Sequence, residues 1–261
     1  MRFALGVEYE GWNYAGFQRQ PAGITVQGEL EKALSQIADE DISLVCAGRT
    51  DAGVNATGQV IHIDVSKGRP ERAFLLGTNT KLPPDIAITW AKAVGDDFHA
   101  RFSARARRYR YIIQNTLHRP GVLSKGVSIY HGTYDIALMQ EAANILLGEH
   151  DFASFKGADE QSSSTFRCVH FIEISRHGPF IVFDIAANAF LNHMVRNIVG
   201  SLLLVGNKSR SFNWFKDVFA ACDRNVAGPT AHPNGLYLVD VTYPSDFQLP
   251  KRDYIGPLWL I

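Results

Sequence analysis

The chain has 261 residues, balances 26 Lys and Arg against 26 Asp and Glu for a formal net charge of zero, and is 46% hydrophobic. That is enough apolar residue for one large core or two of moderate size, and with no global positive field any nucleic-acid binding has to come from local patches. The three cysteines, Cys46, Cys168 and Cys222, are far apart and lack the paired spacing of a zinc site. Reduced thiols and no metal are therefore expected. Glu8 and Glu10 interrupt the first apolar run before a signal-peptide core is complete, and no stretch approaches the roughly 18 apolar residues of a membrane span. The expectation is a cytoplasmic protein with no membrane attachment.

Phe3 to Tyr9 reads as a strand, and Gly11 to Gly23 as a loop rich in glycine and aromatics. A helix follows, with Val26, Leu30, Leu34 and Ile37 at helical spacing and Thr25 as its N-cap. Strands are predicted over 42–46, 60–65 and 86–94, with a helical stretch near 71–77. Past a boundary at 95–106, marked by Gly95-Asp96-Asp97, the order is strand 107–115, helix 136–147, strands 167–176 and 180–187, helix 189–206, helix 212–222 and strand 236–243. Gly148 to Asp151 reads as a helix exit, with Phe152 and Phe155 as core anchors and His150 as structural. The pattern is a mixed α+β fold in two domains, 1–103 and 104–261.

Three segments hold residues suited to chemistry. Ala47 to Val54 links two strands and sets Asp51 between Gly48 and Gly53, beside Arg49. On residue types alone this is equally a tight turn in which Asp51 caps backbone N–H groups and a glycine takes positive φ. In the predicted helix 189–206, Asn192, Arg196 and Gly200 form a polar stripe on an otherwise apolar element, so Arg196 calls for an acidic partner. Asp51 is the natural candidate. Finally, Arg101, Arg105, Arg107, Arg108 and Arg110 put five arginines within ten residues, and strand alternation sets Tyr109 and Tyr111 on one face with Arg108 and Arg110 on the other. Arginines can take phosphates while an aromatic face stacks on an unstacked base. No His, Cys and carboxylate cluster has metal-ligand spacing, and no GxxxxGK phosphate loop occurs, so neither a metal nor a nucleotide cofactor is expected.

Taken in order, Gly16-Phe17-Gln18-Arg19-Gln20, Ala47 to Val54, Thr57-Gly58-Gln59-Val60, Phe98-His99-Ala100-Arg101-Phe102, Arg108-Tyr109-Arg110-Tyr111, His193 to Gly200 and Gly235-Leu236-Tyr237-Leu238 closely resemble the TruA family of tRNA pseudouridine synthases. Two positions depart from that pattern: Asn55 stands where histidine is usual, and Ala56 where glycine is common. The resemblance implies isomerisation of uridines 38, 39 and 40 in the anticodon arm of tRNA, without a cofactor, by a homodimer. It implies two similar domains, each a largely antiparallel sheet covered by helices, joined as a continuous sheet with an active-site cleft. It carries the essential aspartate onto Asp51, the base-contacting tyrosine onto Tyr109 and the aspartate's arginine partner onto Arg196. Arg49 is then a substrate-binding group, and Arg101, Arg107, Arg108 and Arg110 contact RNA. Attack at C1′, attack at C6 and deprotonation at C2′ all remain open to Asp51. A non-catalytic RNA-binding protein or chaperone, and a cofactor-free hydrolase or lyase that uses Asp51 as a base, are the rival readings.

Overall fold

The computed structural model describes residues 1–118, 120–158, 160 and 162–251. It divides the chain into two compact units: Met1–Arg107 with the segment from Tyr237 onward, and Arg108–Leu236. The sequence boundary assigned everything after residue 103 to the second domain; here the last strand lies with the first unit instead. Among the described residues no helix is long and apolar enough to cross a membrane.

In the first unit β1 (Arg2–Tyr9) lies between β3 (Asn55–Asp64) and β4 (Ile86–Val94) and is antiparallel to both. The other edge of β3 is shared. The short β2 (Leu44–Cys46) pairs antiparallel with its Ile61–Ile63 stretch, and β10 (Leu236–Thr242) pairs in parallel with Asn55 and Ala56. Helix α1 (Val26–Ala38) forms as its sequence dictates: the Thr25 hydroxyl accepts the Gly28 N–H at 3.2 Å, and Val26, Leu30 and Leu34 are buried. Phe3, Leu5 and Val7 of β1 join Ile61 and Ile63 of β3 in this core, where Phe74 meets Phe3 at a ring distance of 4.8 Å.

In the second unit β5 (Ala106–Asn115), β9 (Phe180–Ala187), β8 (Phe166–His177) and β7 (Gly148–Asp151) are neighbours in that order, and β6 (Ser128–Tyr130) pairs in parallel with β5. Along β8 the buried set changes parity, from Arg167 and Val169 to Ile172 and Ile174, because the register with β9 shifts between Val169 and Phe171. Helices α2 (Ile136–Asn144), α3 (Met194–Gly206) and α4 (Phe212–Ala221) complete the unit. As expected, Phe152 and Phe155 anchor its core, Phe155 stacked with Phe215 and Phe219 and Phe152 tilted against Phe219, while His150 sits edge-on to Phe219.

Three predicted boundaries were wrong for tertiary reasons. The helix expected from 189 begins at Met194, because the preceding backbone bonds elsewhere: Asn188 N–H donates to Cys168 O, and Asn192 O accepts from Gly157 N. The helix expected to reach 147 ends at Asn144; Gly148 takes φ +95°, and what was read as a helix exit becomes β7, antiparallel to β8. The strand expected from residue 60 starts at Asn55, directly after the Asp51 turn.

Candidate active site

Asp51 sits half-buried on a loop whose backbone is held at nearly every step. Ala47 N–H donates to Val60 O at 2.8 Å, and Ala47 O accepts from Arg107 Nη2 at 2.9 Å. Gly48 O accepts from Gln59 Nε2 at 2.6 Å, and Thr50 O accepts from the Phe17 N–H at 3.0 Å. The Thr50 hydroxyl shares a buried 2.7 Å hydrogen bond with the Tyr9 hydroxyl. A turn closes the loop through Val54 N–H to Asp51 O at 3.1 Å, with Gly53 at φ +78°, the geometry of a type II turn. Gly16, at φ +114°, lies so close that a Cβ there would approach Thr50 O at 3.0 Å and Ala52 N at 3.3 Å. The Gly16-Phe17 segment therefore forms one wall of the Asp51 loop. Such a scaffold fixes a carboxylate in place without the flexibility usual for a surface loop.

The departures at Asn55 and Ala56 fall at the start of β3, past the turn. Asn55 is buried, and its Oδ1 accepts the Gly11 N–H at 2.8 Å, so it ties the loop after β1 to the base of the Asp51 turn. Arg49 is exposed on the same loop. Its charge acts on Cys46, but burial outweighs it and pushes that thiol up to about 11. A neutral thiol is a poor nucleophile.

Arg107 faces inward. Its guanidinium donates to the carbonyls of Ala47, Ala104 and Arg101, the last at 2.7 Å, so it braces the Asp51 loop against the turn that precedes β5. Arg101 is exposed on that turn. The roles of Gln59, Tyr9 and Arg107 in holding the loop were missed from sequence. Only Gln59 gave a signal, as a polar residue on a strand with apolar neighbours that demands a buried partner.

In the second unit the expected face-sharing on β5 appears as chemistry. Arg108 grips Asp184 with two hydrogen bonds of 2.6 and 2.8 Å, and Arg110 reaches the same carboxylate at 2.7 Å. One carboxylate is thus shared by two cations. On the opposite face Tyr109 and Tyr111 are both buried, Tyr109 with 8% of its surface exposed. Tyr111 is fully buried, its hydroxyl 2.7 Å from Ser128 Oγ and donating to His232 O at 2.8 Å, and burial holds its pKa well above the ordinary value. It is a structural residue. Tyr109 stands edge-on to Phe190 at 5.0 Å, on the segment before α3.

Arg196 lies half-buried on α3, where its Nε donates to Ala231 O at 2.8 Å and its own carbonyl accepts the Ala231 N–H. The segment 229–231 comes this close only because residue 200 is glycine: a Cβ there would fall 1.8 Å from Pro229 O. One residue on from each, the fully buried Asn197 and Ser201 form a second polar row that sequence reasoning did not identify. Asn197 donates to Phe155 O and accepts from Thr230 and Arg224, while Ser201 Oγ accepts the Gly228 N–H. These bonds fix the loop that in turn positions Arg196. Asn192 lies before the helix, so the expected stripe shortens to Arg196 and Gly200.

A family model described as tRNA pseudouridine synthase matches residues 6–103 and 142–244. A protein from Aeromonas hydrophila subsp. hydrophila named tRNA pseudouridine synthase A is 58% identical over 260 residues, covering 100% of this chain and 96% of that one. A protein of the same name from Shewanella sp. strain MR-4 is 57% identical over 261 residues, covering both chains in full. Among solved structures, the Cbf5-Nop10-Gar1 complex aligns with 90% of this chain and 48% of its own at 13% identity and a TM-score of 0.40, too loose a likeness to carry an argument.

Proposed function

Because the chain belongs to the tRNA pseudouridine synthase family, we propose that it isomerises uridines 38, 39 and 40 in the anticodon arm of tRNA to pseudouridine, in the cytoplasm and as a homodimer. The reaction breaks the bond from C1′ to N1, turns the uracil and joins C1′ to C5; the C5 proton leaves and N1 takes one up, so the product is an isomer. The change is internal to the nucleotide, so no redox or acyl-transfer cofactor is called for. Asp51 is the group that acts on the nucleotide, by attack at C1′, attack at C6 or deprotonation at C2′. Tyr109 holds the detached uracil by its ring, and Arg49 and Arg196 bind the substrate. Arg101, Arg108 and Arg110 contribute positive charge towards the RNA backbone, while Arg107, turned inward, braces the Asp51 loop instead. Taking the base out of its stack costs a few kcal/mol, which phosphate contacts offset.

The observation that carries this reading is the clamped loop of residues 47–54, which presents a half-buried carboxylate on a rigid turn. The test uses unmodified tRNA transcripts tritiated at uridine C5, with proton release followed for the wild type and for Asp51→Asn. Release by the wild type alone, with the variant folded and still binding tRNA, is the expected result. Tight binding without release by either protein would make this an RNA-binding protein without catalysis.

A further inference from the structure

Phe102 is 75% exposed, yet it stands on a turn with little freedom to move. His99 N–H donates to Ser103 Oγ at 2.9 Å, and Ser103 N–H returns to His99 O at 2.9 Å. The N–H groups of Arg101 and Phe102 both point at His99 Nδ1, at 3.2 and 3.1 Å, and Ala100 N–H donates to His62 Nδ1 at 3.0 Å. Ala100 O accepts from the Tyr243 hydroxyl at 2.6 Å, and Arg101 O accepts from Arg107. Both histidines use Nδ1 as an acceptor, which requires neutral rings, and desolvation lowers the pKa of each. The His99 ring stacks on Phe102 at 4.4 Å and 29°, and the Arg101 guanidinium stands 5.5 Å from the Phe102 centroid.

Single exposed apolar side chains are ordinary on protein surfaces. Three features set this one apart. The turn is rigid, so ordering it on binding costs little. Its aromatic is oriented by a second ring and carries a cation beside it, the exposed Arg101. And Arg107 Nη2 donates at once to Arg101 O and to Ala47 O, so the turn is braced directly against the base of the Asp51 loop. We infer that Phe102, oriented by His99 and flanked by Arg101, is a stacking platform for an unpaired base of the substrate RNA, whose phosphate Arg101 meets. The inference rests on the reading that the substrate is tRNA. A flat aromatic beside an always-charged guanidinium is the surface that stacks on a nucleobase and pairs with its phosphate.

The experiment compares the wild type with Phe102→Ala, Phe102→Leu, Phe102→Trp and Arg101→Gln, measuring binding of an unmodified tRNA transcript by fluorescence anisotropy over a range of salt. Melting temperature and mass by light scattering are recorded alongside. Phe102→Ala and Phe102→Leu are expected to weaken binding about 5- to 150-fold, the equivalent of about 1–3 kcal/mol per stacked base, while Phe102→Trp keeps it. Arg101→Gln is expected to lower the salt slope by about one, which Phe102→Ala leaves alone. Ala and Leu variants that bind as the wild type does would overturn the inference. So would a halved mass in Phe102→Ala with unchanged affinity per chain, which would assign the ring to contact with a second copy. Wild-type tritium release, measured in parallel, separates this failure from failure of the underlying reading: a wild type that neither releases tritium nor binds tRNA removes both.

Discussion

Replacing Tyr9 by Phe deletes one oxygen, and with it one of the bonds that hold the Asp51 loop. The Tyr9 and Thr50 hydroxyls are 2.7 Å apart in residues only 4% and 7% exposed. A neutral buried hydrogen bond contributes about 0.5–1.5 kcal/mol net, but the hydroxyl that loses its partner costs about 1–3 kcal/mol because water cannot replace it. Tyr9→Phe, which strands the Thr50 hydroxyl, is therefore expected to destabilise by about 1–3 kcal/mol, and Thr50→Val, which removes the one bond, by about 0.5–1.5 kcal/mol. The double variant removes both oxygens and strands neither, so it should be no less stable than the worse single variant. The cycle should give a coupling of about 1–2 kcal/mol, read from urea midpoints at a common slope. For a chain of this size each kcal/mol moves the melting temperature by about 2–4 °C. Tritium release should fall in Tyr9→Phe and recover in part in the double variant, since the loop backbone relaxes once no polar atom seeks water. Single effects that add to within about 0.5 kcal/mol would refute the claim that this pair acts as one unit.

Three further outcomes follow from the same structure. Gly200→Ala places a methyl 1.8 Å from Pro229 O, with backbone on both sides, and should destabilise by about 3 kcal/mol; an unchanged urea midpoint would contradict the close approach that seats Arg196 on Ala231. Asp184→Asn leaves Arg108 and Arg110 side by side without their shared anion and should cost about 1–3 kcal/mol, with a smaller loss once Arg108→Met is added, as followed by thermal melting. His62 is held down from 6.5 to about 4, chiefly by desolvation, so as pH falls through this window the unfolded chain takes a proton that the folded one refuses. Stability from this group is then complete above about 6.5 and is lost as pH falls towards 4. His62→Gln should flatten the pH dependence of the denaturation midpoint between those values, and an unchanged slope would remove His62 as its source.

The sequence alone determined whatever is written in neighbouring residues. Thr25 and the apolar spacing behind it define α1, since a cap and a helical period act within one turn of chain. Asp51 between turn glycines was legible for the same reason, and Gly53 does take the positive φ that the turn requires. Alternation on β5 foretold that Arg108 and Arg110 would share a face, though not that Asp184, more than seventy residues on, would be the anion they meet. Only the tertiary structure set the start of α3, made a strand of Gly148–Asp151 and separated Tyr109 from Tyr111. In each case the deciding contact joins distant residues: the Gly157 N–H with the Asn192 carbonyl, His150 with Arg167 opposite it in the ladder, and the Tyr111 hydroxyl with the His232 carbonyl. Arg107 shows the limit most clearly, because local charge reads it as a surface cation while a carbonyl sixty residues earlier turns it inward to brace the Asp51 loop. Side-chain periodicity records which way a residue points; the unsatisfied backbone acceptor that waits there depends on how the chain returns.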